Sequence, residues 1–246
     1  MPRPSQNIDQ TLLQSGRILF PQCGCCDLSL RALTEHAQVN MGMFHYHFRS
    51  KDNFLSILLQ SMYDELFAQL QAQTLHPGTA LQRLRQTLML LAKLLREHGP
   101  WLSRVWTDAS RGDTVAQQFL QKNGARHIQL ILSLILQAIE DKEIEPIAPM
   151  QAMSFLMGSI AAPMLIAPRV IQLGFAPAFF QEQVEQAVLS DTGIAQRVDR
   201  ALFALRISTE LIATHSESAG GTIRLDETNL HTNSHTTPHV STNEEN

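Results

Sequence analysis

The stretch from Leu28 to Leu55, LSLRALTEHAQVNMGMFHYHFRSKDNFL, constrains this chain more than any other. Leu30, Leu33 and Ala37 recur at i, i+3 and i+7, the spacing that gathers apolar side chains on one face of a helix. Ala37-Gln38-Val39 then reads as a turn, and Asn40 is a residue type that caps a helix by accepting a backbone N–H. A second helix is predicted from Met41 to about Phe48, with Phe44 and Phe48 on one side and Met43, His45, Tyr46 and His47 on the other. Helices this short are not stable alone, so both have to dock on further elements. Two such helices around a tight turn, the second with a polar and aromatic outer face, form the helix-turn-helix pattern, whose second helix enters the major groove.

The flanking residues fit that pattern. Ile8–Gln22 reads as a first helix, with Leu12, Leu13, Ser15, Gly16, Leu19 and Phe20 facing the next two, and Gly24 suits a residue that closes a helix. Ser29 is placed to cap the second helix and to offer its hydroxyl and the adjacent N–H groups to a phosphate. Ser50 caps a fourth helix, although Asn53 stands where a full capping box would have Glu. Lys51 adds positive charge to the positive end of that helix, an unfavourable placement unless an anion sits there.

Leu19-Phe20-Pro21-Gln22-Cys23-Gly24, then Ser29-Leu30-Arg31-Ala32-Leu33, then the run from Phe44-His45-Tyr46-His47-Phe48 through Ser50-Lys51 to Leu55 follow one another without insertion. In order and spacing they resemble the head of the TetR family of bacterial transcriptional repressors, over residues 8 to 56. The sequence departs from the family at Gln38, where the turn usually has Gly, at His45, where Tyr is usual, and at Met41 and Met43, which replace more polar residues. The resemblance implies an all-α fold: an N-terminal three-helix DNA-binding head, then a C-terminal helical ligand-binding and dimerisation domain. Base contacts are expected from Met43, His45 and Tyr46, with Asn40 and Met41 at the helix start. Ser29, Arg31, His47 and Lys51 are expected to meet phosphates. Any of these side chains could instead be ordinary solvated surface.

Charge supports the division only mildly. The formal net charge is -4, but residues 1–51 hold five Lys/Arg against three Asp/Glu, a net of +2. Residues 52–214 hold 13 against 15, and residues 215–246 hold one against five. The expected domains are a head at 1–51, an effector-binding and dimerisation domain at 52–214, and a disordered polar tail at 215–246 rich in Ser, Thr and Asn. His231, His235 and His239 in that tail share a helical period, but Pro238 opposes a helix. In the arm before Asn7, Arg3 alone has the charge for a minor-groove contact.

From Thr79 the chain is a series of helical periods broken by Gly and Pro, with no alternating strand pattern. Helices are expected at 79–98, 100–110, 114–142, 149–166, 178–189 and 193–213. A single head reads few base pairs, so two are needed in successive major grooves roughly 34–36 Å apart, and a homodimer must hold them. The nearly all-apolar helices 149–166 and 193–213 are the candidate interface. In a chain resembling the family, a small-molecule effector binds among helices four to seven and tilts helix four. Met62, Phe67, Met89, Trp101, Trp106 and Phe119 are the expected lining, suited to an apolar or aromatic effector, with His98 and Asp108 as polar candidates. The alternative for each is plain core.

Cys23, Cys25 and Cys26 admit a second reading, a thiol- or metal-responsive DNA-binding regulator, although a zinc site would need further ligands. No cofactor is expected, and no G-x-S-x-G, H-E-x-x-H or phosphate-loop motif suggests an enzyme. The most apolar run, Met153 to Ala167, contains Pro163 and is short for a bilayer, which takes about 20 residues. No signal peptide is read at the start, so a cytoplasmic protein without a membrane partner is expected.

Overall fold

The computed structural model describes residues 7–174 and 177–206, and all regular structure among them is helical. The helices are α1 (Ile8–Asp27), α2 (Leu30–Ala37), α3 (Met41–Phe48), α4 (Lys51–Thr74), α5 (Ala80–Ser110), α6 (Thr114–Glu140), α7 (Pro149–Leu156), α8 (Ala162–Gln172), α9 (Ala178–Val184) and α10 (Asp191–Ala204). π-helical turns at Met157–Ala161 and Glu185–Leu189 join α7 to α8 and extend α9. The all-α expectation holds. The expected arm, the polar tail with its three histidines, and the last part of the helix expected through 213 lie outside the described residues.

The predicted caps form. Ser29 Oγ accepts from Ala32 N at 3.4 Å, Asn40 Oδ1 from Met43 N at 2.9 Å, and Ser50 Oγ from Asn53 N at 3.1 Å. Asn53, in place of the Glu of a capping box, donates from Nδ2 to the Phe48 carbonyl at 3.0 Å and so ties the end of α3 to the start of α4. Gln38 adopts the left-handed conformation, φ 54 and ψ 40, that the tight turn between α2 and α3 requires.

Three boundaries differ from expectation. α1 continues past Gln22 to Asp27, broken at Gly24 with φ 72 and ψ -164. A Cβ at Gly24 would collide with the Asp108 carboxylate and the Arg104 side chain, so α5 approaches α1 only because this residue is glycine. α5 runs through Gly99-Pro100 instead of stopping there. An internal proline costs about 3 kcal/mol, but Trp101 and Val105 beyond it are 3% and 1% exposed. Burying two such side chains returns about 1.5–3 kcal/mol each, which offsets the break. Finally, Pro149–Gln172 forms a 24-residue helical run, with a mean hydropathy of 1.5 in its most apolar window and 17% of that window buried. By length and composition that run could cross a membrane, which the shorter expected segment could not.

Two hydrophobic cores result. The first contains Leu12, Phe20, Leu33, Phe44 and Phe48, and extends into Phe54, Leu58 and Met62 of α4, Trp101 and Val105 of α5, and Phe119 of α6. The second joins Leu84, Leu88 and Ala92 of α5 to Ile131 and Ile135 of α6, Ile160, and Val198 of α10. Leu66 of α4 packs against both.

Candidate nucleic-acid interface and internal cavity

The two faces of α3 are sharply different. Phe44 and Phe48 are buried, with ring centroids 5.6 and 5.0 Å from that of Phe54. Tyr46 on the opposite side is 78% exposed, and Asn40, Met41 and His45 are exposed with it. Met43 and His47 are half-buried, and His47 Nε2 is a buried nitrogen without a hydrogen-bond partner. Asn40 Oδ1 accepts from Met43 N in its cap, which leaves the amide NH₂ and the second lone pair of the oxygen for a base edge. His45 Nδ1 lies 3.2 Å from the Arg49 carbonyl, to which the protonated nitrogen donates.

The residues expected to meet phosphates are partly occupied within the protein. The exposed Ser29 hydroxyl caps α2. Arg31 pairs with Glu35 at 2.8 Å one helical turn away, an exposed contact of the kind that is weak and easily exchanged. Lys51 Nζ donates to the Cys26 carbonyl at 2.9 Å, so the ammonium at the positive end of α4 already has an acceptor. Arg49, not singled out from the sequence, is exposed at φ 63 just past α3, and its guanidinium has no partner among the described residues. The only sequence signal for it was a basic residue next to the end of the second helix of the motif.

Behind the head, α4, α5, α6, the first π turn and α8 enclose a cavity of about 700 Å³, within the ~300–1,000 Å³ of ordinary small-molecule sites. Leu91, Leu95, Leu102, Ile128, Met157 and Leu165 supply much of an apolar wall, while Tyr63, Asn123 and His127 add polar groups. Of the lining expected from sequence, Phe119 lies in the wall and Trp106, 61% exposed, at the rim. Phe67 lines an annex of about 80 Å³ that shares Tyr63, Leu91 and His127 with the main cavity.

The other residues expected in the lining lie away from this cavity. Met62 and Trp101 are buried in the first core and border a separate surface cleft with His98. Met89 packs against the second core. Asp108 is fully buried and accepts from Cys25 N at 2.7 Å, which fastens α5 to the end of α1. The periodic leucines of α5 gave no hint that some face a cavity. Phe119, Asn123 and His127, four apart on α6, could have: polar residues interrupt an otherwise apolar face.

The polar groups of the cavity are held in place. Tyr63 donates from its hydroxyl to the Asn123 carbonyl at 3.0 Å, and burial pushes its pKa up. Asn123 Nδ2 donates to the Phe119 carbonyl at 3.0 Å. Burial pushes His127 below its ordinary 6.5, which keeps the imidazole neutral at neutral pH. Arg126 pairs with Asp64 at 2.6 Å and lies 4.2 Å from the centre of the Phe67 ring.

The cysteines sit at the junction of α1 and α5. Burial, followed by Asp113 and Asp108, pushes the Cys25 thiol far up. Cys23 and Cys26 are also raised, with desolvation the largest cause in each. Reactive and metal-binding cysteines are instead those whose surroundings stabilise the thiolate. Among the described residues, no group of three or more His, Cys, Asp or Glu side chains is suited to holding a metal ion.

A scan against protein-family models and a search of curated proteins gave no match. Solved structures did. The chain is similar to a TetR transcription regulator from Haloarcula marismortui, at 13% identity and a TM-score of 0.63, over 81% of this chain and 98% of that one. It is similar to NemR of E. coli in its reduced form, at 18% identity and a TM-score of 0.59, over 82% and 98%. It is also similar to FadR of Bacillus subtilis in complex with stearoyl-CoA, at 12% identity and a TM-score of 0.59, over 80% and 97%. The arrangement of the ten helices among the described residues, with a helix-turn-helix head at the N-terminal end, is the fold of the TetR-family transcriptional regulators.

Proposed function

We propose that this chain is a TetR-family DNA-binding transcriptional regulator: a cytoplasmic homodimer that represses from a palindromic operator and is released by a small apolar or aromatic effector. One observation carries the reading. The core that fixes α3, with Tyr46 facing outward, continues into α4, and Tyr63 on the same α4 lines the cavity. An occupant that displaces α4 therefore also displaces the head, and it need only prefer the head spacing that does not fit DNA. That FadR is seen with stearoyl-CoA supports a ligand with apolar character.

In this reading residues 1–51 contact DNA, with Tyr46, His45, Met43, Asn40 and Met41 toward bases and Arg31, Ser29, His47, Lys51 and Arg49 toward phosphates. Residues 52–214 bind effector and dimerise. Exposed Met150, Ile166, Leu173 and Phe203 support α7, α8 and α10 as the faces that meet a second copy, a fate that also accounts for the apolar 149–172 run without a membrane. Purified full-length protein should protect DNA flanking its own gene over two half-sites about one helical turn apart. Absence of protection at low salt would overturn the proposal.

A further inference from the structure

The large cavity opens onto a second, chemically opposite space. A cleft of about 440 Å³ shares Ser103, Thr107, Leu165 and Arg169 with it, and four arginines line that cleft: Arg96, Arg104, Arg111 and Arg169. No Asp or Glu is among its lining residues. Two of the arginines are neutralised from outside it. Arg96 pairs with Asp191 at 2.9 Å, and Arg104 with Asp27 at 3.0 Å. Arg111 and Arg169 are exposed and have no side-chain partner among the described residues. Two unpaired guanidinium groups at the mouth of an apolar chamber are poorly explained by folding, because neither strengthens a core nor closes an ion pair. They are well suited to an anion, since guanidinium groups hold carboxylates and phosphates through paired N–H donors.

We propose that the effector is an apolar-tailed anion, with its alkyl or aryl tail in the cavity and its carboxylate or phosphate group in the arginine cleft. This rests on the effector-responsive reading above and narrows its ligand class. Arg169, shared by the two spaces, marks the joint between tail and head group. The cleft also reaches the DNA-binding head. Arg104 donates to the Cys23 carbonyl at 2.7 Å as well as to Asp27, so it binds the last turn of α1 directly. A negative group arriving in the cleft competes with those acceptors for Arg104 and loosens the tie between α5 and the head.

The test uses full-length protein and three probes of equal chain length: palmitate, palmitoyl-coenzyme A and neutral hexadecanol. Binding is read by calorimetry and by tryptophan fluorescence, and release of protected operator DNA is read in parallel. At least one anionic probe should bind ten times or more tightly than hexadecanol, and the better of the two identifies a free acid or a phosphate-bearing conjugate as the source. Arg111→Gln with Arg169→Gln should erase that preference while leaving operator binding unchanged, and the corresponding lysine variants should restore part of it. Both residues are exposed and unpaired, so the variants should fold as the parent does. Equal affinity for acid and alcohol, no binding of any probe, or an unchanged preference in the double variant would overturn the assignment. Operator release by hexadecanol alone would overturn it and leave the regulator reading standing, whereas failure to bind operator without any probe would remove the reading itself.

Discussion

Two surfaces of this molecule leave large side chains uncovered, and they do so in different ways. On α3 the exposed residues carry polar handles: the Tyr46 hydroxyl, the His45 imidazole and the Asn40 amide, with Arg49 beside them. Along α7, α8 and α10 the exposed Met150, Ile166, Leu173 and Phe203 carry none. The first surface is satisfied by water and available to a hydrogen-bonding, anionic partner. The second gains only from losing water, the property that suits exposed apolar side chains to another protein surface. Exposure alone therefore says little; what the exposed atoms can bond to separates a surface suited to a polar, charged partner from one suited to an apolar partner.

The harshest way to break this contrast is to put charge on the apolar face. Ile166→Glu with Phe203→Glu should leave a folded monomer, because both positions are largely exposed in the single chain at 59% and 64%. Operator affinity should then fall by about 10²–10⁴-fold, the advantage that linking two sites ordinarily confers. Light scattering coupled to size exclusion, with operator titration alongside, checks both halves. A variant that remains dimeric would show that the pairing face lies elsewhere.

How much of this could be read from residues alone divides along the same line. The head was legible because its signals are local: caps at Ser29, Asn40 and Ser50, a glycine-demanding turn at Gln38, and aromatic residues four apart. α5 was misjudged because Gly99-Pro100 is a strong local breaker, and the burial of Trp101 and Val105 that overrides it involves residues far away in sequence. The cavity was half legible for the same reason. Trp106, Phe119 and Phe67 do border it, but Met62, Met89 and Trp101 carry the same composition into solid core. The arginine cleft was missed because the helix expected to stop at Gly99-Pro100 separated Arg96 from Arg104 and Arg111, which the continuous α5 aligns at spacings of eight and seven, and because Arg169 joins them only when α8 lies against α5.

Within the polar surface, a smaller perturbation separates reading from positioning. Tyr46→Ala should weaken operator binding by about 1–3 kcal/mol, roughly five- to 150-fold, without changing thermal stability, since the side chain is 78% exposed. Arg49→Ala should instead weaken binding to operator and unrelated DNA alike and lower the salt dependence by about one unit of slope. Lys51→Ala should act in the same direction but less strongly, because Lys51 must first leave the Cys26 carbonyl. If Tyr46→Ala left the preference for operator over unrelated DNA intact, sequence recognition would belong to a different part of the surface.

The smallest expected effect sharpens the comparison from the folding side. Gln38 holds φ 54 and ψ 40 at the turn, while its N–H donates to the Glu35 carbonyl at 3.2 Å and that of Val39 to the Thr34 carbonyl at 3.0 Å. A residue with a Cβ costs about 1–2 kcal/mol in this conformation, whereas glycine gives up about 0.5–1 kcal/mol through its freer unfolded chain. The difference favours glycine by up to about 1.5 kcal/mol. Gln38→Gly should therefore raise the melting temperature, by up to roughly 3–6 °C for a chain of this size. Gln38 is exposed and lies before α3, so operator affinity should stay within twofold. A lower melting temperature would mean that the glutamine side chain contributes more to the turn than its backbone strain takes away, and that the head tolerates its one departure from a glycine turn for a structural reason.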